Sequence, residues 1–247
     1  MRTIARLALG VVVAAGLQAT AAAPPNPSAK PPERVLFVGN SLTEYNNLPA
    51  QVRELARTAD KLSRAEVRGI MVPGAYLHQH EGALNEALAR GPRWDAVVLQ
   101  GYSDEPLEAD AQAAARFRES ARRLDKSIRD AGARTILFMT WANRLQFGMT
   151  QKLAEAYGQM GAELGAEVVP VGLAFERAEV AVPFVRLVER DGKHPTPEGS
   201  YLAACVFYAA LFARSPEGVA YYARLPRETA ESLQAVAWAT VKAFRGW

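Results

Sequence analysis

From Arg34 onward the sequence alternates two hydrophobic patterns. Short runs rich in apolar residues occupy residues 35–38, 67–72, 96–99 and 135–139, with a less regular one at 167–171. Runs of this length, bounded by turn residues such as Gly39, predict buried strands. Between them apolar residues recur every three or four positions, the spacing of one helix face. Leu48, Val52, Leu55, Ala59 and Leu62 make one such stripe. Ala114, Phe117, Ala121, Leu124 and Ile128 make another, with Gly132 placed to stop it. A third, Leu153, Ala156, Tyr157, Met160 and Leu164, runs up to Gly165. Thr196 and Pro197 suit an N-cap and a first helical turn, opening a helix to about Phe212. Leu233, Val236, Ala237, Val241 and Phe244 predict a last helix over one sheet face.

Strands that alternate with helices, and that are apolar throughout, argue for a parallel sheet covered on both sides. The expected fold class is α/β: one three-layer α/β/α domain over residues 34–247, built on a mainly parallel five-stranded sheet. Ligands of such sheets bind outside the carboxyl ends of the strands. Polar residues at those ends are therefore the first candidates for function.

Composition adds compartment rather than partner. With 247 residues, 49% of them hydrophobic, the chain can bury a full core, which excludes general disorder. Lys and Arg number 29 against 26 Asp and Glu, without a dense basic tract, so nucleic-acid binding is not expected. Arg2 and Arg6 precede an apolar run from Leu7 to Leu17, and Ala19-Thr20-Ala21 supplies small residues for a cleavage site. Residues 1–23 thus read as a secretory signal peptide, followed by a Pro-rich leader at 24–33. The protein is expected to be exported, to the periplasm or the medium, with no membrane insertion after cleavage. Without Arg2 and Arg6 the mature chain is close to neutral. Its single cysteine, Cys205, precludes an intramolecular disulfide and reads as a buried inert thiol. Phe207, Tyr208, Phe212, Tyr221 and Tyr222 read as core.

Three features sit at predicted strand ends. Ser41, in Gly39-Asn40-Ser41-Leu42-Thr43, would stand just past the first strand, exposed yet rigid, as a nucleophile must; an ordinary capped turn is the alternative. His194, in Asp191-Gly192-Lys193-His194-Pro195, follows Asp191 by three residues in a turn. The carboxylate can then fold back on the imidazole Nδ1–H and free Nε2 as a base; a solvated surface histidine is the alternative. Gly74, after the second strand, offers an N–H that no side chain shields.

Together these segments resemble the SGNH/GDSL hydrolase superfamily. The block around Ser41 is similar to the family's first motif, with Asn40 in place of the usual Asp, and the Asp191–His194 block is similar to its last. The resemblance spans the chain from about Arg34 onward. It implies a flavodoxin-like sheet, Ser41 as nucleophile, His194 as base, Asp191 as its partner, and an oxyanion hole formed by the N–H groups of Ser41 and Gly74. It also implies ester hydrolysis with no metal or organic cofactor, on a small-molecule or glycan ester. The third block departs: the family's oxyanion-hole Asn is missing from Gln100-Gly101-Tyr102-Ser103-Asp104, as in a divergent secreted branch with Leu-Gln-x-x-Ser. Gln100 is the first candidate to replace it, then Ser103, with Asn143 an outsider. Asn40, Tyr102, Trp141 and Asn143 are expected to line the substrate groove, with packing of a loop the equal alternative for Trp141.

Other readings compete. An acyltransferase would use the same triad, and a binding protein on a decayed fold would keep the cleft alone. His78 and His80, with Asp104 or Glu105, could form a metal arm.

Export is directly testable. Intact mass measured on envelope and medium fractions should give a chain beginning near Ala22 or Pro24; a full-length cytoplasmic species as sole product would contradict the signal-peptide reading.

Overall fold

Five strands, β1 (Arg34–Gly39), β2 (Glu66–Met71), β3 (Ala96–Leu99), β4 (Arg134–Phe138) and β5 (Glu167–Val169), pair in parallel in the order β2-β1-β3-β4-β5. The computed structural model describes residues 31–107, 111–143 and 148–247. The expected signal peptide and the leader as far as residue 30 lie outside the described residues.

Eight helices accompany the strands among the described residues: α1 (Ser41–Glu44), α2 (Leu48–Ala59), α3 (Glu81–Arg90), α4 (Ala111–Asp130), α5 (Met149–Leu164), α6 (Val171–Ala181), α7 (Pro197–Phe212) and α8 (Arg227–Arg245). Successive side chains of a strand point to opposite faces, and here both faces are dry. Val35, Phe37, Val98, Ile136 and Phe138 meet α2, α6, α7 and α8 on one side. Leu36, Val38, Val97, Leu99 and Leu137 meet α3, α4 and α5 on the other. That is why the strand sequences are continuously apolar.

Helix α7 lies directly on the sheet. Phe207 packs edge-on against Phe37 and Phe138, each at 4.8 Å between ring centroids. Residues 199–211 of this helix are all buried, so it carries no polar stripe. Thr196 caps it as expected, accepting the Gly199 N–H at 3.1 Å. Cys205 is fully buried within it, and burial pushes its thiol well above the usual range. The aromatic residues of this region belong to the core.

Three expectations need correction. The fifth strand ends at Val169, two residues early, because Pro170 has no N–H to give the sheet; Val171 already begins α6. The stripe from Leu48 stops at Ala59, where Asp60 turns extended, and Leu62 is 88% exposed. The last helix packs on α6 and α7, forming the outer cover of that layer. Helix α3 went unanticipated: Leu84 is its single buried residue, too little for a periodic signal.

Candidate active site

The carboxyl ends of β1, β2 and β3 are tied together by two buried amides. Asn40, 1% exposed, follows β1, and Gln100, fully buried, follows β3. Gln100 Oε1 accepts the Asn40 backbone N–H at 2.8 Å and the Thr43 hydroxyl at 2.9 Å. Its Nε2 donates to Asn40 Oδ1 at 3.0 Å and to the Gly101 carbonyl. Asn40 Nδ2 donates in turn to the Ala75 carbonyl at 3.0 Å, and Asn40 Oδ1 accepts the Leu42 N–H at 3.1 Å. Backbone N–H and C=O partners fix the orientation of both amides. The pair fits only because residue 39 is glycine. A Cβ there would lie 2.4 Å from Gln100 Oε1 and 2.6 Å from Thr43 Oγ1.

This tether corrects two expectations. Gln100 has both amide hydrogens and both acceptor sites engaged, so it holds the loop and has nothing left for an oxyanion. Asn40 likewise is a buried strut and does not line a groove. Ser103 does not open on the cleft either. It is 3% exposed, its hydroxyl is enclosed without a partner, and its carbonyl accepts the Thr140 hydroxyl at 2.6 Å.

Immediately beyond the tether, Ser41 begins α1. The second segment comes from the loop before α7, clasped by a Val188–Pro195 bridge and by Glu189 N–H donating to the His194 carbonyl at 2.7 Å. His194 Nδ1 lies 2.6 Å from Asp191 Oδ2, and Nε2 lies 3.0 Å from Ser41 Oγ. An ionised carboxylate only accepts, so Nδ1 carries the proton and the Nε2 lone pair faces the serine hydroxyl. Asp191 is also held by the N–H groups of Lys193 and His194 at 2.9 and 3.0 Å. The bond from His194, then that from the Lys193 N–H, lowers its carboxyl to a pKa of about 2. The imidazole is 24% exposed and Asp191 is 49% exposed, so the ring is reachable from solvent and its carboxylate partner stays wet.

The N–H groups of Ser41 and Gly74 have no acceptor among the described residues. Gly74 takes φ +73°, which favours glycine, although a Cβ would meet open space. Its loop is placed beside Ser41 by the Asn40–Ala75 bond and joined to the third loop by Glu105. That buried carboxylate accepts the Leu77 N–H at 3.1 Å and the Tyr102 N–H at 2.8 Å. Glu105 is therefore occupied in structure.

The metal arm does not assemble. His80 is fully buried with neither ring nitrogen bonded, and burial, with His78 beside it, holds its pKa below the usual range. Among the described residues no cluster of three His, Cys, Asp or Glu side chains could hold an ion.

Trp141 packs a loop, one of its two expected roles, and also edges a groove. It is 4% exposed, stacks on Phe175 at 4.3 Å and donates from Nε1 to the Lys193 carbonyl at 3.0 Å. It braces the Asp191–His194 loop. Asn143 lines a groove of about 490 Å³ beside it, with Phe175 and Glu176. Tyr102 does stand on the rim, half-buried, stacked on Tyr76 at 4.7 Å.

Sequence reasoning missed two contacts of the His194 loop. Tyr45 stacks on the His194 ring at 4.5 Å. Asn46, at φ +54°, donates from Nδ2 to the Pro195 carbonyl at 3.3 Å and to Ser200 Oγ at 2.9 Å. The Asn46-Asn47 pair was a usable signal, since asparagine tolerates left-handed backbone well.

Comparison with known proteins places the fold. A protein of Slackia heliotrinireducens described as an SGNH hydrolase is 34% identical; the match covers 72% of this chain and 97% of that one, with a TM-score of 0.60. A DUF4886 family protein of Bacteroides uniformis shares the fold at 17% identity and TM-score 0.66, over 85% of this chain and 95% of its own. An acetylxylan esterase of Geobacillus stearothermophilus shares it at 16% identity and TM-score 0.56, over 74% and 95%. No family model matches the sequence, and none of the curated proteins does.

Replacing Gln100 separates the tether from an oxyanion role. Gln100→Ala leaves the Asn40 N–H and the Thr43 hydroxyl unpaired in a dry site, at about 1–3 kcal/mol for each such group. Denaturant unfolding should show lost stability together with lost activity. A variant of wild-type stability with only kcat lowered would return Gln100 to the oxyanion hole.

Proposed function

The chain belongs to the SGNH hydrolases, and on that footing we propose that it cleaves carboxylic esters through Ser41, His194 and Asp191, removing an O-acyl group, acetyl foremost, from a carbohydrate outside the cytoplasm. One observation carries the reading: a single imidazole joins the Ser41 hydroxyl at 3.0 Å to the Asp191 carboxylate at 2.6 Å.

The chemistry follows from the donors and acceptors. His194 Nε2 takes the proton of Ser41 as the hydroxyl oxygen attacks the acyl carbon. Asp191 keeps the imidazole in the required tautomer and stabilises its charged form. The carbonyl oxygen, now an oxyanion, meets the free N–H groups of Ser41 and Gly74. His194 then hands its proton to the leaving alcohol, and water attacks the acyl-serine by the reverse sequence, releasing the acid. Every step uses groups of this chain alone.

Two observations favour a sugar ester. The acetylxylan esterase with the same fold acts on an O-acetylated glycan. Tyrosines flank the His194 loop: Tyr45 stacks on His194, and Tyr102, stacked on Tyr76, meets Lys193; their flat apolar faces and polar edges suit sugar rings. The export signal expected at residues 1–23 places such a substrate outside the cell membrane.

Ser41→Ala should abolish hydrolysis of a short-chain aryl acetate and acetate release from acetylated xylo-oligosaccharides. Unchanged turnover in Ser41→Ala would remove the nucleophile from the account. Asp191→Asn should lower kcat/KM by up to about 10⁴-fold, less where water substitutes at this half-exposed site. The folded pKa of Asp191 lies below the reference of about 3.9, so its carboxylate stabilises the loop above about pH 4. That support should disappear as pH falls toward 2, not in the neutral range. Denaturant unfolding of wild type and Asp191→Asn checks this: their stability difference should shrink as pH falls from 4 toward 2, and a difference unchanged at pH 2 would contradict it.

A further inference from the structure

Lys193 lies between Asp191 and His194 in sequence, yet its ammonium does not pair with an acid. It donates to the Tyr102 hydroxyl and sits 3.8 Å from the centre of the Tyr102 ring. No carboxylate among the described residues forms an ion pair with it. The contact crosses from the His194 loop to the third loop, and Tyr102 is backed by Tyr76 on its stacked side. Lys193 and Tyr102 are both half-buried, so the cation is held on the cleft rim without swinging freely in water. The Lys193 carbonyl is pinned by Trp141 and its N–H by Asp191, which fixes where the side chain starts.

We propose that Lys193, seated on Tyr102, receives a carboxylate carried by the alcohol half of the substrate, so that the preferred ester is an O-acyl group on an acidic sugar. This deepens the triad reading and rests on it. The half of the substrate is set by the mechanism. His194 must protonate the leaving alcohol, so the sugar lies on the side of the loop that carries both His194 and Lys193. The acyl oxygen lies on the Gly74 side. A partly desolvated ammonium attracts an anion more strongly than a fully hydrated one, and the tyrosine faces offer the sugar ring a stacking surface.

The test uses acetylated uronic-acid oligosaccharides and the same oligosaccharides with their carboxyls reduced to neutral hydroxymethyl groups. The readout is the charged-to-neutral ratio of kcat/KM within each protein. Wild type should favour the charged substrate by about tenfold or more at low salt, with the preference falling as salt is added. Lys193→Met, which keeps the apolar stem on Tyr102, should bring the ratio near one, and Lys193→Arg should keep it. An equal ratio in wild type and Lys193→Met would overturn the proposal. Hydrolysis of an aryl acetate with neither oligosaccharide cleaved would overturn it too, leaving the triad reading intact. A preference for an aryl succinate over an aryl acetate that vanishes in Lys193→Met would move the charge to the acyl half and contradict the assignment. Failure of every ester, aryl acetate included, would instead strike the triad reading itself and this proposal with it.

Discussion

The hydrogen bond between the side-chain amides of Gln100 and Asn40 is the constraint on which the rest of the site depends. Parallel strands deliver their carboxyl ends to one edge of the sheet, but they do not set where the following loops point. The two amides do. Their bonds run from the end of β1 to the end of β3 and, through Ala75, to the loop after β2. All of it is dry, so each unmade bond would leave a polar group without water to replace the partner. Gly39 is the sequence condition for this closeness, since any side chain would displace Gln100 or Thr43. Ser41 inherits its position from the tether one residue earlier.

The second half of the site is assembled on a different principle. The Asp191–His194 loop is a small clasp whose own backbone bonds hold it closed, and it is aimed by contacts from three directions. Asn46 binds the Pro195 carbonyl, Tyr45 lies flat on the imidazole, and Trp141 holds the Lys193 carbonyl. Two of these residues lie within five positions of Ser41 in sequence. The short segment after Ser41 therefore positions His194 as well, so that a distance of 3.0 Å spans 153 residues of chain. A half-exposed Asp191 keeps its charge easily in such a place, and the imidazole needs the neighbouring contacts to stay aligned while remaining open to substrate.

Much of this was legible in the residues before the structure. Four of the five strands came within a residue of their bounds, because strands buried on both faces leave continuous apolar runs. Helices with a wide buried face were legible for the same reason, whereas α3, with Leu84 alone inside, left no pattern. The spacing of Asp191 and His194 and the turn at Ser41 pointed to three side chains that the fold brings together, since local geometry dictates what an Asp three residues before a His can do. The roles of Gln100 and Asn40 were misjudged. Each is a polar or amphipathic residue at a strand end, and sequence cannot tell a side chain aimed into the cleft from one aimed at the neighbouring loop. Tertiary bonds decide that, and Gln100 had a partner for every donor and acceptor. The Lys193–Tyr102 contact was invisible for the same reason, joining residues 91 positions apart.

The central claim is that Ser41 is a nucleophile activated by His194 on a scaffold held by the amide tether. It is tested most directly by reaction with a fluorophosphonate, followed by peptide mapping of the adduct and by the second-order labelling rate. The account predicts an adduct on Ser41 and on no other serine, formed by a folded protein and lost in His194→Ala. Labelling of a different serine, or labelling of Ser41 at the wild-type rate in His194→Ala, would contradict it.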